Sequence, residues 1–151
     1  DSISIERSKI YWDSQTKVVQ EMTRALSRHK VTITAGTDAN GANGVVPGFS
    51  LHDELESLYR VGLSTSQILH SATLATSQWM GINTGKIKVG FDADLVILEK
   101  NPLENIQNTN AINGVIANGK YLNRDTLNKI LQAVKEANNR SREVSIDDYL
   151  D

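Results

Sequence analysis

The sequence places one carboxylate where catalytic groups gather. Asp38 follows Thr37 at the end of Val31-Thr32-Ile33-Thr34-Ala35-Gly36. Val31 to Thr34 are β-favouring residues in an unbroken row, which predicts a short strand buried on both faces and ended by Gly36. The Thr37 hydroxyl and the Asp38 carboxylate then stand just past the C-terminal end of that strand. In parallel α/β folds this end carries the chemistry, because loops there build a pocket on a rigid floor. An aspartate after a strand equally serves to cap a turn through its own side chain. Spacing alone leaves both roles open.

The next run, Asn40-Gly41-Ala42-Asn43-Gly44-Val45-Val46-Pro47-Gly48, is flexible and kinked. It suits a lid over a pocket, or a loop with no task. Its glycines do not open a helix in a phosphate-binding fingerprint, which excludes nucleotide binding. The chain has three histidines, His29, His52 and His70. His52-Asp53-Glu54 is not the zinc motif His-Glu-X-X-His, because no histidine lies four positions on from His52. His29 at a helix end is most simply a partner of the helix dipole, and His70 a packed or surface side chain.

The elements around Asp38 read as alternating helix and strand. Val18, Val19, Met22, Ala25 and Leu26 recur at helical spacing between Ser14 and Arg28, with Asp13 or Ser14 as the cap. A helix running into the Val31 strand is half of an α/β repeat. After the loop, Ser50 is the expected N-cap of a helix striped by Leu51, Leu55 and Leu58 and stopped by Gly62. Ser64-Thr65-Ser66-Gln67 has the capping-box pattern for a second helix. A third, around Ala75 to Met80, is expected to bury Trp79 and stop at Gly81. From Gly85 the character changes: Lys86 to Val89 alternates as a half-exposed strand, and Leu95 to Leu98 reads as a buried one. Ile112 to Ala117 and Lys120 to Leu122 flank Asn118-Gly119, the signal for a tight type I′ hairpin. Leu127, Ile130, Leu131, Val134 and Ala137 mark an amphipathic helix capped near Asp125, followed by a charged tail from Asn139 to Asp151. Three parts follow: residues 1–84 around the Asp38 strand, a small β unit at 85–122, and a helix with its tail at 123–151.

With 151 residues, a formal charge of −2, a pI near 5.9 and 39% hydrophobic residues, the chain has the composition of a soluble globular protein. It lacks the clustered Lys and Arg of a nucleic-acid surface. No stretch approaches a membrane span. The absence of cysteine removes a disulfide framework and a thiol nucleophile. The chain opens Asp1-Ser2-Ile3 without methionine, so a processed, cleaved or partial chain is expected, and this end says little about export. A soluble protein, with the cytoplasm favoured, is the expectation.

Taken in order, Gly36-Thr37-Asp38-Ala39, Pro47-Gly48, Ser50-Leu51-His52-Asp53-Glu54-Leu55, Gly62-Leu63-Ser64, Ala72-Thr73, Gly85-Lys86-Ile87, Gly90 with Ala93-Asp94-Leu95, and Asn101-Pro102-Leu103 form a series over roughly Val31 to Tyr121. That series resembles the C-terminal portion of the metal-dependent amidohydrolase superfamily, in its imidazolonepropionase-like and Xaa-Pro dipeptidase-like (prolidase-type) members. The resemblance implies a partial (β/α)8 barrel, with its seventh helix, eighth strand and following helices, beside part of a small β-sandwich built from both chain ends. It implies hydrolysis of a C–N bond in an amide, cyclic amide or dipeptide, with a divalent metal, zinc by expectation, at the barrel mouth. Such a metal lowers the pKa of a bound water. Asp38 matches the eighth-strand aspartate, the expected metal ligand and catalytic proton carrier. His52 falls in a His-X-Glu-Leu-like segment, where it would touch substrate or brace the loop. Asp94 and the Asn101-Pro102-Leu103 turn match structural positions.

This sequence departs from that pattern in having no His-X-His and none of the strands that bring the other ligands. Catalytic zinc needs about three protein ligands, so the isolated chain is expected to hold no metal and to be inactive. The rival expectation is a non-catalytic module derived from the fold. The unpaired strand edges would favour self-association or disorder near residues 31–49 unless the N-terminal part of the barrel is supplied. A small α/β ligand-binding domain, with a pocket and no metal near Asp38, is the third.

Overall fold

The computed structural model describes residues 2–39 and 44–143. Five α-helices and three strands follow in the order α1 (Ser2–Arg28), α2 (Phe49–Val61), α3 (Thr65–Ala72), α4 (Leu74–Met80), β1 (Leu95–Leu98), a 3-10 turn (Ile106–Asn110), β2 (Ile112–Ala117), β3 (Lys120–Asn123) and α5 (Arg124–Glu143). Residues 40–43 of the expected lid, and 144–151 of the expected tail, lie outside the described residues.

No glycine or proline interrupts residues 1–28, so α1 runs back to Ser2 and not merely to Ser14. Neither Asp13 nor Ser14 caps it; the Ser14 hydroxyl donates back to the Ile10 carbonyl at 2.8 Å. At about 1.5 Å per residue this rod is about 40 Å long. Its half-buried side chains Gln20, Thr23, Arg24 and Ser27 make a polar stripe. Arg24 reaches α2, donating from Nε to the terminal Val61 carbonyl at 2.8 Å. The apolar stripe lies elsewhere on the rod, and Tyr11, Trp12, Val18, Val19 and Met22 are all more than half exposed.

The core sits between α2 and α3. Leu55, Leu58, Val61, Leu63, Ile68 and Ile106 form one buried cluster, with Ile33, Ala35, Leu69 and Ala72 packed against it. Gly48, at φ 82°, precedes α2 without a side-chain cap. Ser50 lies inside the first turn, where its hydroxyl accepts from Val46 N–H at 2.9 Å, so it braces the turn but does not cap the helix. Gly62 closes α2 in the left-handed region, and Ser64 with Gln67 forms the capping box of α3. Gly81 closes α4 in the same manner. Trp79, however, stands 79% exposed, because α4 turns Ala75 and Ser77 inward instead.

The β unit is an antiparallel sheet of order β1-β2-β3. Leu95, Val96 and Ile97 pair with Ile116, Val115 and Gly114, and the register shifts before Leu98. Asn118 (φ 52°) and Gly119 (φ 73°) turn the β2–β3 hairpin with both residues at positive φ, as type I′ requires. Asp94 Oδ1 accepts from Asn118 N–H at 2.7 Å, and Gly119 N–H donates to the Ala93 carbonyl at 3.1 Å. The aspartate thus ties the start of β1 to the hairpin. Asn101 Oδ1 accepts from Leu103 N–H at 3.0 Å, making the turn around Pro102. Lys86 to Val89 is not a strand. Ile87 and Val89 are 87% and 98% exposed, so no neighbour rewards their alternation. Helix α5 is held at its start by Asn123 Oδ1, which accepts from Thr126 N–H at 2.9 Å, and not by Asp125.

The largest departure concerns the stretch before Asp38. Residues 31–39 form no strand. Ile33 and Ala35 are half-buried, while Val31, Thr32 and Thr34 are exposed, so one face is covered and not two. A strand is half of a pair, and no neighbouring strand lies beside this one among the described residues.

Candidate active site

The chain leaves α1 through Lys30, at φ 57°, with Val31 N–H donating to the Leu26 carbonyl at 3.0 Å. Ile33 and Ala35 then press on the core, and Ala35 N–H donates to the Ser71 carbonyl at the end of α3 at 3.1 Å. This tether fixes the segment three residues before Asp38. Asp38 itself is exposed and sits at φ 49°, a left-handed conformation that short polar residues tolerate. Beside it, Thr37 lines a recess of about 300 Å³ with Gly44, Val45, Ser50, Asp53, Glu54 and Ser57.

Ser50, Asp53, Glu54 and Ser57 follow one another at helical spacing and make one polar stripe of α2. His52 is not on it. Its ring is part-buried, with Nδ1 3.0 Å from Thr109 Oγ1. The Thr109 hydroxyl in turn donates to the Ile106 carbonyl at 2.8 Å. With that proton committed, Nδ1–H is the donor to Thr109. His52 lines a separate cavity of about 440 Å³, between α2, α3 and the sheet, whose other walls include Leu55, Leu69, Leu95, Val96, Leu98 and Ile112. Thr37 and His52 therefore line different spaces. His52 braces the 3-10 turn against α2.

His29 and His70 are exposed. His70 lines a third cavity, of about 370 Å³, with Lys30, Ser27 and Gln67. Among the described residues no group of three His, Cys, Asp or Glu side chains is placed to hold a metal ion. Asp38 has the right donor chemistry for one position of a catalytic metal site, and the described residues do not supply the remaining positions.

Sequence reasoning singled out none of Thr109, Ser71 and Thr76, and it read Asp53 and Glu54 only as part of the motif around His52. The polar stripe on α2 was readable from its period. Thr109 was not, since it lies 57 residues from His52 and meets it only in the fold.

Residues 12–122 match the model of a family described as the amidohydrolase family. Among solved structures, the chain is similar to a Xaa-Pro dipeptidase with methionine bound in its active site, at 27% identity and a TM-score of 0.62, over 70% of this chain and 25% of that one. It is similar to a candidate prolidase from Bifidobacterium longum, at 32% identity and a TM-score of 0.60, over 66% of this chain and 25% of that one. Molinate hydrolase shares the fold at 18% identity and a TM-score of 0.55, over 68% of this chain and 26% of that one. The chain thus spans about a quarter of the length of the solved structures it matches. Comparison with curated proteins gives no match.

Proposed function

Because the chain belongs to the amidohydrolase family, we propose that it is the C-terminal part of a metal-dependent hydrolase acting on C–N bonds, with a dipeptide or small amide as substrate. In this reading residues 1–84 carry the last part of a (β/α)8 barrel, residues 85–122 part of a β-sandwich, and residues 123–151 a closing helix and tail. Asp38 contributes one ligand to a divalent metal, zinc by preference, and serves as the proton carrier. A metal bound there would supply a water acidic enough to act as a nucleophile near neutral pH. The Asp38 carboxylate would be the group that holds the proton and passes it to the leaving nitrogen. His52 is left to the support of α2, with substrate contact only through its Nε2.

One observation supports this most. The family match covers Asp38 and the β unit together, and Asp38 stands exposed just past an extended segment pinned to the core. The test is hydrolysis of dipeptides, Xaa-Pro among them, by the protein carrying the complete barrel. Turnover is expected to disappear on chelation and return with zinc. Full turnover after chelation counts against the proposal.

The apolar stripe of α1, exposed among the described residues, favours a second reading, a non-catalytic module that pairs with a copy of itself. Tyr11, Val18, Met22 and Leu26 offer it a contact surface that α2 does not use. The 151-residue chain is then expected to run as a concentration-dependent dimer in size-exclusion chromatography with light scattering. A monomer at every concentration removes this reading.

A further inference from the structure

The hinge between α3 and α4 joins two parts of the chain that the family reading keeps apart. The Ser71 carbonyl accepts twice, from Ala35 N–H at 3.1 Å and from the Thr76 hydroxyl at 2.8 Å. Ser71 is 2% exposed, and its own hydroxyl is spent on the Ile68 carbonyl at 2.7 Å. Two residues on, Thr73 bends the chain at φ −127° and ψ −91°. The backbone of Gly85 lies against this bend. A Cβ at Gly85 would fall 2.6 Å from the Thr73 carbonyl carbon and 2.9 Å from Leu74 N, at a φ of +73° that already favours glycine. Below the bend, the Ser77 hydroxyl donates to the Ile82 carbonyl at 2.6 Å and accepts from Thr84 N–H at 3.2 Å, which fixes the approach of Gly85.

We propose that this elbow positions Asp38, with Thr76 as the positioning residue and Gly85 as the contact through which the β unit braces it. Ala35 N–H is the only backbone donor of residues 32–39 with a bond to another element among the described residues. Asp38 follows at three residues' distance, so a shift of the Ser71 carbonyl moves the whole rim. Thr76 touches neither substrate nor metal and acts through Ser71 and Ala35. The proposal accounts for the meeting of Ala72-Thr73 with Gly85, two motifs with no chemistry of their own. It rests on the assignment of Asp38 to the active site.

The test pairs amide exchange with kinetics. Thr76→Val deletes the hydroxyl and keeps the shape. The Ala35 amide is expected to exchange about tenfold faster, with the Leu58 and Ile68 amides unchanged. In the complete enzyme kcat is expected to fall about tenfold, with KM held within twofold, since misplacing a catalytic group acts on turnover. Thr76→Ser restores both. Gly85→Ala, which presses on Thr73 without touching any hydroxyl, is expected to speed Ala35 exchange as well. Unchanged Ala35 exchange in both Thr76→Val and Gly85→Ala overturns the proposal. So does unchanged kcat in Thr76→Val when Asp38→Asn has lost activity, which leaves the assignment of Asp38 standing. Full activity in Asp38→Asn removes that assignment and the positioning role with it.

Discussion

Asp38→Asn in the complete enzyme is expected to lower kcat by about 10²- to 10⁴-fold, the range for loss of a positioned acid–base group. Asparagine keeps the shape of the side chain and one acceptor oxygen, but gives up the negative charge and the basic oxygen. The side chain is exposed, so the fold loses nothing that it buries, and melting temperature is expected to stay within a few degrees. KM is expected to change little, because the role proposed for Asp38 is in metal binding and proton transfer rather than in holding the substrate. A variant with normal turnover would show that Asp38 merely turns the chain. Its left-handed backbone (φ 49°) is compatible with that simpler role, which makes kinetics the deciding readout.

Ile68→Ala is expected to cost about 2–5 kcal/mol of folding stability, as large-to-small changes in a closed core do. Ile68 is fully buried, and among the described residues the cluster around it contains five other buried residues: Leu55, Leu58, Val61, Leu63 and Ile106. Two of these come from outside α2 and α3, so a cavity here loosens the 3-10 turn and the loop after α2 as well. Domain stabilities run to about 5–15 kcal/mol, and a core this small belongs at the lower end. Denaturant unfolding is expected to show a clearly lowered midpoint. Trp79→Ala, at an exposed side chain, should change stability by no more than about 0.5 kcal/mol. A mild effect at Ile68 would place the core elsewhere.

These expectations rest unequally on what the residues announce. Local chemistry was legible. Asn118-Gly119 makes its turn with neighbours only, and Gly62, Gly81, Ser64 and Gln67 act within a single helix end. The motif series around Asp38 led to the family, which the match over residues 12–122 bears out. Elements that need distant partners were misread. Val31 to Ala35 has strand-forming side chains, but the pairing that would make it a strand has to come from other segments. Lys86 to Val89 alternates for a face that nothing covers. Trp79 has the side chain of a core residue, whereas α4 docks through Ala75 and Ser77, whose small side chains allow close approach. The place of Asp38 just past the Val31 to Ala35 segment was legible, and its role in a site belongs to the proposal. The Thr109 contact that orients His52 was not legible, because sequence carries no sign of a hydrogen bond between residues so far apart.

Whether Asp38 grips a metal is decided most directly by the crystal structure of the complete protein grown with zinc, the ion located by its anomalous scattering. An Asp38 carboxylate oxygen is expected about 2.0–2.2 Å from that ion, with the other ligands drawn from outside this chain. An ion held without Asp38, or an Asp38 side chain turned away from the metal-binding rim, would contradict that expectation.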